Sequence, residues 1–301
     1  MSHCSPTGLL AAAVTPMAET GDVRLEAIAP LVEFLIEAGI DGLYVCGSTG
    51  EGMSLTTAER QAVAAEFVAA SAGRIPVLVQ VGHNSLREAA ELARHAQRIG
   101  AAGISATCPS YFKVDSIDGL LACMQEIASA APQTPFYYYH IPALTGNRLS
   151  MPEFMERAPA ALPNFAGLKF TTQELHEFER CRRIAARHQQ QVYWGVDEML
   201  LGAVAMGANA AIGSTYNIAA PLYLRMLRSA ADNDWSQAAR CQSLAIDMIA
   251  LLMEYPFHAA LKATLEMQGI EAGPPRRPLD TISTAQKTQL QQRMRALGIL
   301  D

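Results

Sequence analysis

Lys169 is the single cation in the apolar run Phe165-Ala166-Gly167-Leu168-Lys169-Phe170. Burying an ammonium is costly, so an amine inside such a run loses its proton more easily than in water. The neutral amine carries the lone pair that attacks a carbonyl to form a Schiff base. The same run is compatible with a strand-end lysine that snorkels its charge to solvent. Tyr139 lies in Phe136-Tyr137-Tyr138-Tyr139-His140-Ile141-Pro142. Side chains alternate along a strand, so Tyr137 and Tyr139 share one face and Tyr138 takes the other. A phenol beside an iminium can shuttle a proton, and positive charge nearby is expected to lower its free pKa of about 10. The strand preference of aromatics accounts equally well for these tyrosines.

Gly47-Ser48-Thr49-Gly50-Glu51 could present hydroxyls and backbone N–H groups to an anion. Small-residue turns are common, and Thr49 could instead act as a cap. Asp197 and Glu198 follow another apolar run. Two carboxylates there would repel a phosphate and accept hydrogen bonds from hydroxyl groups; they could also be an ordinary acidic helix start. Lys262, in the amphipathic stretch His258-Ala259-Ala260-Leu261-Lys262, reads as structural. The six cysteines, at 4, 46, 108, 123, 181 and 241, form no C-x-x-C pair, and the histidines are dispersed. These cysteines read as buried thiols in a reducing cytoplasm, and no metal site is expected. Glu91 and His95 share a helix face and read as an exposed pair.

The elements that must position these residues repeat as strand then helix. Apolar runs at 8–15, 42–48, 76–82, 103–108, 135–141, 164–171, 191–196 and 208–214 read as strands. Amphipathic stretches separate them. Thr56 to Ala70 is one, with Thr57 able to cap it, and Leu86 to Ile99 is another, stopped by Gly100. Continuous apolar strands alternating with helices mean a parallel sheet covered by helices. Eight units fit an α/β fold of the (β/α)8 TIM barrel type over residues 1–233, with a C-terminal helical extension over 234–301 broken at 269–278. The rival doubly wound sheet favours a Gly-rich turn after its first strand, whereas Thr15-Pro16-Met17 stands here. In a barrel the residues above converge on one mouth, at the C-terminal ends of the strands.

Composition bounds the rest. Of 301 residues 50% are hydrophobic and 17% charged, enough for a large core and against disorder. A net charge of -6 leaves no excess cation to neutralise phosphates or bind an anionic membrane, so no nucleic-acid or membrane partner is expected. No apolar run approaches the ~20 residues that span a bilayer, and residues 1–6 carry no basic segment of a signal peptide.

Taken in order, Gly47-Ser48-Thr49-Gly50-Glu51, Tyr139 with Ile141-Pro142, Gly167-Leu168-Lys169 and Gly213-Ser214-Thr215 resemble the superfamily of N-acetylneuraminate lyases and dihydrodipicolinate synthases. The resemblance covers almost the whole chain. Its lyase branch is the more similar: Tyr137 to Gly146, Gly195-Val196-Asp197-Glu198 and Gly213 to Asn217 follow it. Leu144 stands where the synthases usually carry an arginine that grips a substrate carboxylate. The resemblance implies a class I aldolase of sialic acid without metal or organic cofactor, assembled as a homotetramer. It implies Lys169 as the Schiff-base lysine and Tyr139 in proton transfer. Ser48 and Thr49 would hold the pyruvyl carboxylate, and Thr171, Gly195, Asp197, Glu198 and Ser214 the hydroxylated remainder. Tyr111 would join a hydroxyl relay, although Ser110 and Phe112 depart from the pattern around it. Another 2-keto-3-deoxy acid aldolase, a synthase and a non-catalytic keto-acid sensor remain the alternative readings.

Overall fold

Each of the eight apolar runs forms a strand in the computed structural model, which describes residues 5–301. The strands are β1 (Gly8–Ala12), β2 (Gly42–Val45), β3 (Val77–Gln80), β4 (Gly103–Ala106), β5 (Phe136–His140), β6 (Phe165–Phe170), β7 (Gln191–Trp194) and β8 (Ala210–Gly213). Consecutive strands pair in parallel, and β8 closes on β1, which makes a TIM barrel. Most strands stop short of their apolar runs at the C-terminal end, where residues such as Gly47 and Ser48 leave the ladder to build the loops of the mouth.

The helices are α1 (Ile28–Glu37), α2 (Thr57–Ser71), α3 (Leu86–Arg98), α4 (Ile117–Ala128), α5 (Pro142–Thr145), α6 (Met151–Ala161), α7 (Leu175–Arg187), α8 (Leu200–Ala205) and α9 (Tyr216–Ala231). Three more follow: α10 (Trp235–Met253), α11 (Phe257–Met267) and α12 (Thr284–Ala296). Thr56, not Thr57, caps α2: its hydroxyl accepts from the Glu59 N–H while the Glu59 carboxylate accepts from the Thr56 N–H. Such a reciprocal cap is worth about 1 kcal/mol. Thr57 instead donates its hydroxyl to Glu88. Glu91 is drawn to Arg94 and Arg98 rather than to the half-buried His95. Among the described residues, no single helix is long and apolar enough to cross a membrane. Cys46, Cys108, Cys181 and Cys241 are buried and Cys123 half-buried, all as free thiols; Cys4 lies outside the described residues.

Two apolar layers follow from strand alternation. Leu43, Val45, Ile104, Phe136, Tyr138, Leu168 and Phe170 point outward and pack beneath the helices. Leu10, Ala12, Tyr44, Leu78, Tyr137, Tyr139, Tyr193 and Ile212 fill the barrel interior. Tyr137 and Tyr139 thus share the inner face and Tyr138 the outer, as alternation requires.

In β6 the alternation is interrupted. Ala166 packs on the interior cluster, while Phe165, Leu168 and Phe170 belong to the outer layer. Strict alternation from Ala166 would turn Leu168 inward and Lys169 outward. The register explains the difference: Phe136 pairs with Phe165, but Tyr137 pairs with Gly167, so the ladder skips Ala166. This bulge reverses the phase and aims Lys169 into the barrel. Gly167 makes it feasible, with φ +143° and a would-be Cβ only 1.8 Å from the Gln191 carbonyl oxygen.

Candidate active site

Lys169 is 4% exposed, which decides between a buried amine and a snorkelling one. Its Nζ lies 3.9 Å from the centroid of the Tyr44 ring and 4.1 Å from that of Tyr139. Burial brings its pKa down to about 7, against the opposing pull of Asp197. A large fraction of the amine is therefore uncharged near neutrality and able to attack a carbonyl.

Tyr139 reaches Ser48, with 3.5 Å between the hydroxyl oxygens. Its pKa departs from the expected direction: burial pushes it up to about 12, although the Ser48 hydrogen bond opposes this. The expected lowering needs a cation, and the neighbouring lysine is desolvated enough to stand partly neutral. At rest Tyr139 is a protonated phenol.

The turn after β2 supplies the hydroxyls. Thr49 Oγ1 lies 2.7 Å from Ser214 Oγ, which joins it to the loop after β8. Thr15 donates its hydroxyl to the Gly50 carbonyl, at 2.7 Å. Behind the turn Glu51 is fully buried and meets Lys262 Nζ at 2.6 Å. Its other oxygen accepts the Arg276 N–H at 2.7 Å. The Arg276 side chain forks onto Glu59 and donates to the Gly21 and Ser54 carbonyls. That fork holds the Glu59 carboxyl down to about 2. His258, from α11, lies 3.0 Å from the Ser48 carbonyl oxygen, so its Nε2 carries the proton and donates. α11 and the segment that follows it thus fix the turn from behind, through residues that the sequence leaves unassigned or marks only as structural.

Asp197 is buried, and one of its oxygens is already committed. Oδ2 accepts from the Thr215 N–H at 2.9 Å and from the Thr215 hydroxyl at 2.6 Å. Because the Thr215 proton goes to Asp197, Tyr223 must donate its own to Thr215, at 2.6 Å. Burial raises Asp197 to about 6, with the Thr215 bonds opposing. Glu198 is exposed. Thr171, Gly195 and Glu198 line one groove of ≈ 590 Å³ beside β6 and β7, together with His140, Arg148 and Glu174. Asp197, Glu198 and Ser214 line an adjoining hollow closed by Met253 and Phe257. Arg148, a cation in the groove, had not been singled out.

Tyr111 stands apart. Its ring is 78% exposed and packs edge-on against Phe112, while its N–H donates to Asn84. Within one chain it joins no hydroxyl relay at Lys169. Leu144 is 63% exposed in α5, at the C-terminal end of β5.

The geometry has a counterpart among known proteins. The model of the dihydrodipicolinate synthetase family matches residues 5–297. The chain belongs to this family. Within the family, it is 41% identical over 276 residues to the N-acetylneuraminate lyase of Gallus gallus, covering 90% of each chain. It is 38% identical over 297 residues to the human N-acetylneuraminate lyase, covering 97% of this chain and 93% of the other. The solved N-acetylneuraminate lyase (sialic acid aldolase) of Aliivibrio salmonicida superposes with a TM-score of 0.95 at 39% identity, covering 98% of both chains.

Proposed function

We propose that this chain is a class I aldolase that cleaves N-acetylneuraminate reversibly to N-acetylmannosamine and pyruvate. The observation that carries this is Lys169: a desolvated amine aimed into the barrel between two tyrosines, beside a turn rich in hydroxyls. The likeness to lyases across nearly the whole chain supports the substrate.

The neutral amine adds to the C2 ketone of the open-chain sugar acid. The carbinolamine loses its oxygen as water and leaves a protonated imine. When the C3–C4 bond breaks, its electron pair moves to C3 and the iminium becomes a neutral enamine. The C4 hydroxyl gives up its proton and becomes the aldehyde of N-acetylmannosamine. Tyr139 relays that proton; as a phenol it receives one only while passing its own onward, toward Ser48 or the substrate carboxylate. Protonation of the enamine at C3 and hydrolysis of the imine release pyruvate and restore the amine. Ser48 and Thr49 hold the pyruvyl carboxylate, and Thr171, Gly195, Glu198, Ser214 and the free oxygen of Asp197 take the polyol. Tyr111 serves a neighbouring subunit's site within a homotetramer, and the free thiols suit a reducing cytoplasm.

Tyr139→Phe keeps the ring and removes the hydroxyl. We expect kcat to fall by about 10²–10⁴-fold, the range of general acid–base groups. Imine formation with pyruvate persists, since the amine is untouched. An unchanged kcat in steady-state assays makes Tyr139 a packing residue.

The substrate is tested by a panel. A synthase must hold the carboxylate of a small amino aldehyde, and a carboxylate taken from water needs a cationic partner. Leu144 supplies neither charge nor hydrogen bond, and the one cation among the described residues of the groove, Arg148, shares it with Glu174, Glu177 and Glu198, whereas Asp197 and Glu198 accept hydrogen bonds from hydroxyls. Pyruvate release from N-acetylneuraminate is expected, with negligible condensation of pyruvate with aspartate semialdehyde. Efficient condensation overturns the subfamily assignment and leaves the aldolase chemistry standing.

A further inference from the structure

We infer that Tyr44 is a catalytic residue: its ring face stabilises the positive charge that appears on Lys169 Nζ when the amine becomes a protonated imine. Three features of the geometry carry this. The nitrogen sits 3.9 Å from the Tyr44 centroid, slightly closer than to Tyr139. A cation over an aromatic face within about 6 Å is attracted by the ring quadrupole, and more strongly where water is excluded. Both residues are buried here.

The Tyr44 hydroxyl is turned elsewhere. It donates to Ser105 Oγ at 3.2 Å, so the face, not the oxygen, meets the nitrogen. Burial also keeps this phenol protonated, with its pKa well above the ordinary value. Tyr44 is therefore placed as a polarisable wall rather than as a base.

The surroundings hold that wall in place. Tyr139 stands edge-on to it at 5.7 Å and 82°. A Cβ on Gly47 would lie 2.6 Å from Tyr44 Cε1, so the first glycine of the hydroxyl turn makes room for the ring. The ring links the turn that holds the carboxylate to the amine that takes the carbonyl. Its quadrupole does little for a neutral amine and more for an iminium, which makes it a differential contact of the kind that accelerates a reaction.

This inference rests on the Schiff-base reading above, and the test separates the two. Tyr44→Phe retains the face and should form the pyruvate imine at nearly the wild-type level. At that position, phenylalanine is then replaced by its mono-, di- and trifluorinated forms, which keep the shape while draining the face of negative charge. The imine is trapped by borohydride across a pyruvate titration and read by intact mass, with thermal melts as the control for folding. At pH about 9, where an amine with a pKa of about 7 rests neutral, the apparent affinity for pyruvate as imine is expected to fall stepwise, by about 5- to 30-fold across the series, at constant melting temperature. The pH at which the rate of imine formation is half-maximal should also fall, because the charged lysine loses the same partner. A flat series at constant stability overturns the role of Tyr44. If wild-type protein forms no adduct at all, the Schiff-base reading fails instead. Tyr44→Leu is a second check, and equal behaviour of folded Leu and Phe variants also overturns the proposal.

Discussion

Lys169→Ala abolishes pyruvate release from N-acetylneuraminate, a loss on the order of 10⁶-fold, the scale seen when a covalent nucleophile is deleted from a catalytic unit. Among the described residues no other amine is placed to replace it. Lys262 is held against Glu51, and Lys113 is bonded to the Ser110 and Thr145 carbonyls. Lys169→Arg is equally inactive, because a guanidinium stays charged and offers no lone pair. Lys169→Ala is expected to fold, since Lys169 makes no ion pair among the described residues, whereas Lys169→Arg buries an unpaired guanidinium and is expected to melt lower. In the wild-type chain, the rate of imine formation with pyruvate rises with pH through about 7, as the ammonium gives up its proton. A coupled assay for pyruvate, with a thermal melt of each variant, checks this. Retention of more than a trace of turnover removes Lys169 from the chemistry.

Lys262→Met destabilises the fold by about 3–5 kcal/mol, the cost of leaving one member of a buried ion pair uncompensated. Lys262 and Glu51 are 1% and 0% exposed in their side chains. Burial pulls Lys262 down, and Glu51 opposes this. Removing the lysine strands a carboxylate between the turn and α11, where its remaining partner is the Arg276 N–H. The double variant Glu51→Gln with Lys262→Met recovers more than half of the loss, since a neutral amide still accepts from Arg276. Urea unfolding reports both through the midpoint at an unchanged slope. A cost below about 1 kcal/mol for Lys262→Met alone means that the pair does not hold the turn.

The barrel was legible because strands covered on both faces read as continuous apolar runs, and all eight of those runs form strands. That Tyr137 and Tyr139 share a face followed from alternation, and the structure shows it to be the inner one. Lys169 was ambiguous for a physical reason: a lysine in an apolar run is either desolvated or snorkelling, and the outcome depends on a bulge at Gly167 that reverses the side-chain phase. The glycine was visible, but its φ was not. Tyr44 was missed because an aromatic in a strand is indistinguishable from core filling until its face is seen beneath an amine. Glu51 and Lys262 were both noticed separately, yet their pairing joins distant parts of the chain. Two ionisable residues in apolar settings were a usable hint, because buried charges must pair. The α2 cap was also available: Thr56 followed three residues later by Glu59 is a capping-box signature that points past Thr57.

Borohydride reduction of the protein in the presence of pyruvate, followed by peptide mapping, tests the central claim most directly. The account predicts a single stable adduct on the peptide carrying Lys169, absent without pyruvate and absent in Lys169→Ala. An adduct on Lys262 or Lys113, or none on the wild-type chain, contradicts it.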